Sequence, residues 1–384
     1  MKILQVNPFF SPIHGGSARS SYEISKCLSK AGHEVTVFTS DFKLSHDWIG
    51  TLPQVKVYPF KTVIHGASFY VTPGLFKKAM EATKHFDVIH MHNFRSFQNI
   101  VVAHYAQKYG IPYVLQAHGS LPRIMARQRL KWIYDRFLFG YGLLRDAAKV
   151  IALSSIEAQQ YRSMGVPDEK IAIITNGIDL SEYTDLPPKG SFKKKFGLDE
   201  NEKIVLYLGR IHILKGIDFL VRSFACLAKN GTESSKLVIA GPDDGYLDGV
   251  KSLVKSLGIS DLVLFTGMLS EEDKISAYVD SAICAYLAQF EPFGLVTLEV
   301  AACGTPVIVF RGTPMARFVD EGKFGFSVKY NDIYQLTATM RKMLNDEEML
   351  DDMGQKGRKF VFENFNWTDK VMNLERLYGE IVGN

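Results

Sequence analysis

The sequence predicts an α/β protein built from two doubly wound, Rossmann-like domains. Short apolar runs alternate with amphipathic helical patterns, as in parallel β-α units. The runs are continuously apolar rather than alternating, which is typical of strands covered on both faces. The pattern starts twice along the chain, and 384 residues are enough for two domains of ordinary size.

The first half of the chain begins with a strand expected over Lys2–Val6. A loop with Gly15 and Gly16 comes next, and a helix is expected from about Ala18 to Ala31, because its apolar residues recur at helical spacing. The later strands of this half are expected at Glu34–Thr39, Val55–Tyr58, Val88–His90, Tyr113–Gln116, Val150–Ala152 and Ile171–Ile174.

The second half repeats the pattern after the segment Tyr183–Gly197, which is rich in Pro, Lys and Gly and reads as an interdomain linker. The domain boundary is therefore placed between 186 and 187. The strands of this half are expected at Ile204–Leu208, Lys236–Ala240, Val263–Thr266, Ala282–Tyr286, Pro306–Val309 and Gly325–Val328. In open α/β sheets, ligands bind beyond the carboxyl ends of the strands, so motifs that follow strands are the candidates for chemistry.

Composition excludes several classes of protein. Apolar residues make up 46% and charged residues 22%, which is typical of a globular chain and unlike a disordered or disulfide-stapled one. The net charge of +4 is too small to indicate nucleic-acid binding. Residues 1–186 nevertheless hold 21 Lys and Arg against 14 Asp and Glu, and the rest hold 24 against 27. This asymmetry suggests different partners for the two halves, with chance as the alternative.

The strongest motif is EPFGLVTLE, Glu291–Glu299, which follows a predicted strand. A helix is expected to start near Phe293, with Pro292 in its first turn, where the missing N–H costs nothing. The free N–H groups and the dipole of such a helix suit a diphosphate. Glu291 and Glu299 could then accept hydrogen bonds from sugar hydroxyls. The alternative is a capping glutamate followed by a solvated one.

A cationic loop follows the first strand of the second half. Arg210 and Lys215 lie five residues apart between Gly209 and Gly216. Arginine offers a planar fork and lysine a point charge, so together they could clamp a diphosphate. Two solvated loop cations are the alternative.

Two motifs of the first half also follow strands. Gly15 and Gly16 would allow a phosphate close to the backbone at a helix N-terminus. The stretch lacks the third glycine of G-x-G-x-x-G, and no acidic residue closes the second strand, so a nicotinamide dinucleotide is disfavoured. His118 follows the Tyr113–Gln116 strand and could contact a sugar hydroxyl or a phosphate, with a structural histidine as the alternative.

Together, and in this order, the motifs resemble those of the retaining glycosyltransferases of family four. That family has the GT-B architecture, in which two Rossmann-like domains face a central cleft. The resemblance covers essentially the whole chain, and the matching segments include Gly32–Val37, Asp87–His90, Asn176–Asp179, Leu208–Gly216 and Glu291–Glu299. It implies that Trp367–Val382 is a helix that crosses back onto the first domain. The acceptor-binding domain would then be 1–186 with about 367–384, and the donor-binding domain 187–366.

The resemblance also implies roles for individual residues. Arg210 and Lys215 would neutralise the donor diphosphate, Glu291 would bind a hydroxyl of the transferred sugar, and Glu299 would hold the ribose. His118 would lie beside the transferred sugar. Further donor contacts would involve backbone or small residues: Gly16, Gly209, Gly267, Met268, Phe293, Gly294, Leu295 and Val296. The family usually has glycine where Pro292 stands.

The expected function is that of a hexosyltransferase-type enzyme. It would transfer a sugar, with retention, from a UDP- or GDP-sugar to a saccharide or lipid-linked acceptor in polysaccharide or cell-envelope biosynthesis. The four cysteines form no CxxC and no Asp-x-Asp occurs, so neither a metal ion nor another cofactor is expected. Two alternatives are a GT-B nucleotide-sugar epimerase and a non-catalytic module that binds sugar nucleotides or phospholipids.

The segment 123–136 combines basic and apolar residues. Arg123, Arg127, Arg129 and Lys131 are its candidates for contact with an anionic membrane surface or a lipid-diphosphate acceptor. A core helix with a solvated cationic face is the alternative. The sequence shows neither a secretory signal pattern nor 18 consecutive apolar residues, so a cytoplasmic protein is expected, with peripheral binding to the inner face of the membrane as a further expectation.

Overall fold

The computed structural model describes residues 1–383 except 53, 67–68, 124–127, 138–139 and 230–234. The chain forms two compact units, Met1–Gly177 with Trp367–Asn384, and Ile178–Asn366. The division lies at 177/178 rather than at 186/187, because the residues that follow Gly177 pack on the second unit. The N–H of Ile178 donates to the Phe365 carbonyl at 2.9 Å, and Arg358 donates to the Tyr183 carbonyl at 2.9 Å.

The first unit contains a parallel sheet of seven strands and a short hairpin. Its strands are β1 Lys2–Val6, β2 Glu34–Ser40, β3 Lys56–Phe60, β4 Ile64–Gly66, β5 Phe69–Val71, β6 Val88–His92, β7 Tyr113–Gln116, β8 Lys149–Ala152 and β9 Ile171–Ile173. The sheet order is β3-β2-β1-β6-β7-β8-β9. The antiparallel pair β4 and β5 was not predicted, because all three residues of β4 are exposed and leave no apolar run.

Helices cover this sheet. They are α1 Gly16–Lys30, α2 His46–Gly50, α3 Leu75–Ala82, α4 Phe97–Tyr109, α5 Gln128–Phe137, α6 Gly140–Asp146, α7 Ser155–Ser163 and, from the end of the chain, α16 Trp367–Val382. The helix implied near the C-terminus is thus present as α16. Its Trp367, Val371 and Tyr378 are buried in one apolar cluster with Ile3 and Val35 of the sheet.

The second unit contains a parallel sheet of six strands. They are β10 Lys203–Leu208, β11 Ser235–Ala240, β12 Val263–Gly267, β13 Ser281–Tyr286, β14 Val307–Phe310 and β15 Gly325–Val328. The sheet order is β12-β11-β10-β13-β14-β15. All six strands were predicted to within one or two residues at each end.

The helices of the second unit are α8 Ser191–Phe196, α9 Ile217–Lys229, α10 Leu247–Ser256, α11 Glu271–Asp280, α12 Leu295–Ala302, α13 Pro314–Gly322, α14 Ile333–Leu344 and α15 Glu347–Asn364. The expected linker Tyr183–Gly197 therefore ends in a helix, α8. Its Phe192 is buried and stacks on Phe196, with ring centroids 4.4 Å apart. The polar composition of this segment concealed the two aromatic residues that anchor it.

Each sheet reverses its strand order once. In the first unit the reversal lies between β1 and β6, and in the second unit between β10 and β13. The loops that leave neighbouring strands in opposite directions open a crevice at such a point. Gly16 follows β1, whereas the Arg210–Lys215 loop follows β10 and Glu291 follows β13. The reversal in the second sheet therefore determines whether that loop meets Glu291.

Candidate active site

The loop after β10 is shaped by glycines in conformations that side chains rarely adopt. Gly209 has φ +154° and Gly216 has φ +69°. A Cβ on Gly216 would lie 2.5 Å from the Leu287 carbonyl oxygen, so only glycine fits there. A short 3-10 turn, Ile213–Lys215, carries the lysine and ends at Gly216.

The two predicted cations of this loop lie in different surroundings. The Arg210 side chain is 65% exposed and pairs with Asp244 at 2.7 Å. An ion pair in that position contributes little to stability. The Lys215 side chain is only 14% exposed, and its Nζ lies 2.8 Å from Oε2 of Glu291. Lys215 is therefore the cation held in a defined place.

Glu291 receives two hydrogen bonds on one carboxylate oxygen. Besides Lys215, the hydroxyl of Tyr286 donates to Oε2 at 2.6 Å. Lys215 also donates to the Tyr286 hydroxyl at 3.3 Å. Burial, and then the nearby Glu291 carboxylate, raise the pKa of Tyr286 well above its usual value, so this phenol remains a donor. The reversal between β10 and β13 thus brings Lys215 and Glu291 into direct contact.

The helix of the EPFG motif begins later than predicted. It starts at Leu295, with Gly294 as its N-cap at φ +93°. The expected start near Phe293, with Pro292 in the first turn, is wrong, because the left-handed conformation of Gly294 ends any helix that would include it. Phe293 is instead buried against the rings of Phe318 and Phe365. The N–H groups of the first turn, beginning at Leu295, still form the helix terminus next to Glu291.

Glu299 lies in the second turn of α12 and is buried. Its Oε2 accepts a hydrogen bond from the Tyr278 hydroxyl at 3.0 Å, and Lys274 lies 3.5 Å away. Burial, and then the Glu299 charge, raise the pKa of Tyr278 well above its usual value, so the phenol donates to the carboxylate. The glutamate predicted to hold a ribose is thus already fixed by two neighbours.

The ends of β11 and β12 bring further backbone to this edge of the sheet. Gly267 has φ +70°, and its carbonyl accepts the N–H of Gly241 at 2.7 Å. A Cβ on Gly241 would lie 2.0 Å from the Gly209 carbonyl oxygen, so these loops touch through backbone alone. The next residue, Met268, is 77% exposed. Gly241 and the Arg210 partner Asp244 were missed, although the sequence GPDDG directly after a predicted strand was a usable turn signal.

In the first unit, Gly15 and Gly16 lie where β1 passes into α1. Gly15 is the N-cap with φ 78° and ψ −153°, and Gly16 is the first helical residue. The helix therefore begins two residues before the predicted Ala18, because Gly15 makes the turn out of the loop that another residue would resist. Gly16 lies at the amino end of a helix of 15 residues.

His118 occupies a strained turn after β7. Its φ is +50° and that of Gly119 is +77°. Glu157 of α7 fixes this turn, because Oε1 accepts the N–H of Gly119 at 2.6 Å and Oε2 accepts that of Leu153 at 2.7 Å. Burial raises the pKa of Glu157 to about 7. Glu157 was missed, although a Ser-x-x-Glu pattern, Ser154 to Glu157, was present in the sequence.

Three imidazoles, which we call the histidine cluster (His90, His92 and His118), stack at the reversal between β1 and β6. Ring centroids lie 4.1 Å apart for His90 and His92, and 5.2 Å apart for His92 and His118. His92 is bonded to the side chain of Gln5, and Nδ1 of His90 lies 2.6 Å from the hydroxyl of Tyr378. Burial lowers the pKa of His90 and His118 to about 3 and that of His92 well below its usual value, so all three are neutral at pH 7.

Both halves of the chain match protein-family models. Residues 188–360 match the model described as Glycosyl transferases group 1, and residues 14–182 match the one described as Glycosyltransferase Family 4. The chain belongs to glycosyltransferase family four. It is therefore a transferase of the EC 2.4 type, and this favours the transferase over the epimerase and the binding module that the sequence left as alternatives.

Relatives of this glycosyltransferase are distant but cover it well. An uncharacterized glycosyltransferase of Methanocaldococcus jannaschii is 25% identical, with both chains fully covered. The D-inositol 3-phosphate glycosyltransferase of Gordonia bronchialis is 28% identical over 93% of this chain and 82% of the relative. Sucrose-phosphate synthase from Thermosynechococcus elongatus has a TM-score of 0.81 at 23% identity, and the match covers 100% of this chain and 99% of the synthase. Anabaena HepE in complex with UDP-glucose has a TM-score of 0.81 at 20% identity, and the match covers 99% of this chain and 100% of HepE. The structural likeness shows the GT-B fold.

The basic segment of the glycosyltransferase is only partly available to a partner. Arg123 lies 2.9 Å from Oδ2 of the buried Asp135, and Arg95 lies 2.7 Å from the same oxygen. Arg123 therefore neutralises an interior carboxylate. Arg129 is exposed, whereas Lys131 is partly buried, which lowers its pKa. Arg127 lies outside the described residues.

No helix in the described part of the chain combines the length and apolar character of a membrane-spanning segment. The same residues contain no group of three or more His, Cys, Asp or Glu side chains that could hold a metal ion.

Proposed function

We propose that this glycosyltransferase transfers a sugar from a UDP- or GDP-sugar, with retention, to a saccharide or lipid-linked acceptor in glycan assembly. The observation that carries the donor part is the contact between Lys215 and Glu291 at the reversal between β10 and β13. It places a partly buried cation and a carboxylate beside the amino end of α12. HepE, a structural relative, has been solved with UDP-glucose, a ligand of the proposed kind.

Charge and hydrogen-bonding capacity indicate which part of the donor each of these residues would bind. Lys215 and the amino end of α12 suit the negative diphosphate. Exposed Arg210 adds a fork that can leave its surface partner Asp244 for a phosphate. The hydrogen bonds to the Glu291 side chain in the described residues go to Oε2, which leaves Oε1 to accept from a sugar hydroxyl. Glu299 and the backbone at Gly267 and Met268 would hold the nucleoside.

We propose retention by attack on the face from which the diphosphate departs. The bond from sugar C1 to the phosphate oxygen breaks, and its electron pair goes to that oxygen. The acceptor oxygen bonds to C1, and its proton passes to the departing phosphate. This route needs no protein nucleophile. It is supported by the two motif carboxylates, because Glu291 is held by Lys215 and Tyr286, and Glu299 by Tyr278, which lowers their reactivity. Lys215 would stabilise the charge on the leaving group.

Nucleotide binding tests the donor assignment directly. We expect UDP or GDP, together with its sugar derivatives, to raise the melting temperature selectively, whereas ADP should have no such effect. A ligand at 100 times its Kd stabilises the native state by about 2.7 kcal/mol. The matching nucleoside monophosphate should bind more weakly, because it lacks the second phosphate that Lys215 would meet. Differential scanning fluorimetry and titration calorimetry measure both effects. If no nucleoside diphosphate shifts the melting temperature at millimolar concentration, the proposal is wrong.

For the acceptor, we propose that α5 contacts an anionic membrane surface, where a lipid-linked acceptor would be found. Leu130, Ile133 and Phe137 recur at helical spacing and are exposed, Phe137 by 65%. Arg129 and Arg136, on the same helix, are exposed as well. An exposed helix with apolar and basic side chains is typical of binding at an anionic interface.

Vesicle sedimentation tests this surface. Vesicles with anionic lipid should carry the protein down at low salt and release it at high salt, whereas neutral vesicles should not. The double variant Ile133→Ser and Phe137→Ser should lose most of the binding. The matched control is Tyr334→Ser, which removes a ring that is 89% exposed on the second unit. Absence of binding to anionic vesicles at low salt would exclude the membrane contact.

A further inference from the structure

The histidine cluster and its neighbour Gln5 belong to three neighbouring strands of the first sheet. His90 and His92 belong to β6, Gln5 lies beside them on β1, and His118 follows β7. Burying three imidazoles costs free energy that apolar side chains in the same place would not cost. The fold alone therefore gives no reason for them, and their hydrogen bonds indicate what they do.

The direction of these hydrogen bonds follows from which atoms can donate. The contact of His92 with Gln5 joins its Nε2 to the carbonyl oxygen Oε1. A carbonyl oxygen only accepts, so Nε2 of His92 carries the proton. A neutral imidazole has a single N–H, and burial keeps His92 neutral. Nδ1 of His92 is therefore an acceptor.

The same reasoning extends to His118. Nε2 of His118 lies 2.9 Å from Nδ1 of His92, so the proton between them belongs to His118. Because His118 is also neutral, its Nδ1 carries a lone pair. We propose that Gln5 and His92 are positioning residues, which hold His118 in the tautomer that is protonated on Nε2.

This tautomer determines what His118 offers to a ligand. Its Nδ1 is buried and has no hydrogen-bond partner within the described residues. A lone pair there accepts a hydrogen bond from a hydroxyl group and cannot donate a proton to one. That the hydroxyl belongs to a sugar substrate rests on the proposed function, whereas the tautomer does not. His118 would thus orient a sugar and would not act as a general acid.

Nitrogen NMR measures the tautomer in the wild-type protein. Long-range proton–nitrogen correlation spectra of uniformly ¹⁵N-labelled protein at pH 7.5 separate protonated from unprotonated ring nitrogens, and a His118→Gln sample assigns the signals. We expect a protonated Nε2 and an unprotonated Nδ1 for His118. The opposite tautomer, averaging between the two, or an imidazolium in the wild-type protein would overturn the proposal.

A pair of glutamine variants tests the positioning role. Gln5→Met keeps the length of the side chain but removes the acceptor, so both nitrogens of His118 should move toward averaged shifts. The matched control is Gln98→Met, which removes another buried amide of the same unit that bonds to Tyr70 and Thr72. It should leave the His118 signals unchanged. Identical His118 signals in wild type and Gln5→Met would overturn the role of Gln5.

Kinetics separate this inference from the proposed function. In a working transfer assay, Gln5→Met should lower kcat about tenfold, as a misoriented polar contact does, with little change in KM for the donor. Gln98→Met should keep the wild-type kcat. An averaged tautomer with unchanged kcat would overturn the positioning role. The expected wild-type spectrum in a protein that binds no nucleotide sugar would instead contradict the proposed function.

Discussion

Replacing Lys215 with methionine is expected to slow sugar transfer about 10²–10³-fold, the usual effect of removing one preorganised charge from a transition state. Lys215 is the cation of the loop after β10 whose position is fixed by a partly buried ion pair. Its loss also leaves the Tyr286 hydroxyl as the remaining hydrogen-bond donor to Glu291 among the described residues. The fold should survive, because methionine keeps most of the side-chain volume. Arg210→Ala should also slow transfer, but less, since its exposed side chain is less fixed. Initial rates at saturating donor measure the effect.

A lysine elsewhere in the same unit provides the control. Lys236 on β11 is also mostly buried, and its Nζ lies 3.6 Å from a carboxylate oxygen of Glu202. Neither residue belongs to the loop after β10. Lys236→Met should keep the wild-type rate of transfer. A slow Lys215→Met enzyme could then not be explained by the general effect of replacing a buried lysine. Wild-type turnover in both Lys215→Met and Arg210→Ala would sink the assignment of these residues to the diphosphate.

A double variant shows whether Lys215 acts on the substrate or only through Glu291. If the lysine merely held the carboxylate, Glu291→Gln and the double variant with Lys215→Met would be equally slow. We expect the double variant to be slower by a further tenfold or more, because Lys215 is assigned to the diphosphate.

Acidification from pH 6.5 to 5 is expected to destabilise the first unit strongly. The unfolded chain protonates its histidines near pH 6.5, whereas His90 and His118 keep pKa values of about 3 in the folded form because of burial. Proton binding therefore favours the unfolded state. Below pH 6.5, each of these histidines lowers the free energy of unfolding by about 1.4 kcal/mol per pH unit, or about 2 kcal/mol at pH 5. His92 acts in the same direction. Glu157 acts in the opposite direction, because its raised pKa of about 7 makes the folded form the better proton acceptor. Its offset, about 2 kcal/mol by pH 5, is smaller than the combined histidine effect.

Urea unfolding at pH 7.5, 6.5, 5.5 and 5.0 measures this loss. His90→Gln should make the fall in the free energy of unfolding shallower by about 1.4 kcal/mol per pH unit. His104→Gln is the control, because His104 is exposed on α4 and should leave the slope unchanged. A free energy of unfolding that stays constant between pH 6.5 and 5 would show that the cluster is not neutral in the folded protein.

The sequence predicted the strands well because parallel strands covered on both faces are continuous apolar runs. It also predicted which strand ends carry polar side chains. It could not predict that Lys215 meets Glu291, because that contact depends on the adjacency of β10 and β13 in the sheet. The start of α12 was wrong because Pro292 fits a first helical turn, whereas the conformation of Gly294 overrides that preference.

Partners of the predicted side chains were the hardest feature to foresee. Glu299 was expected to hold a ribose, and the partner that no motif indicated is the buried Tyr278, whose hydroxyl donates to its carboxylate. Arg123 was a candidate for contact with an anionic membrane surface or a lipid-diphosphate acceptor, with a solvated cationic face as the alternative, and it neutralises buried Asp135. In both cases the partner lies outside the motif, on a different secondary-structure element, so the local sequence pattern does not reveal it.

The helix α16 has a consequence for the order in which this protein can be made. The second unit, Ile178–Asn366, is contiguous, so all of its residues are synthesised before those of α16. The first unit cannot be finished at that time. Its apolar cluster lacks Trp367 and Val371, and His90 lacks the hydroxyl of Tyr378, until those late residues emerge. The half of the enzyme that is translated first is therefore the half that is completed last.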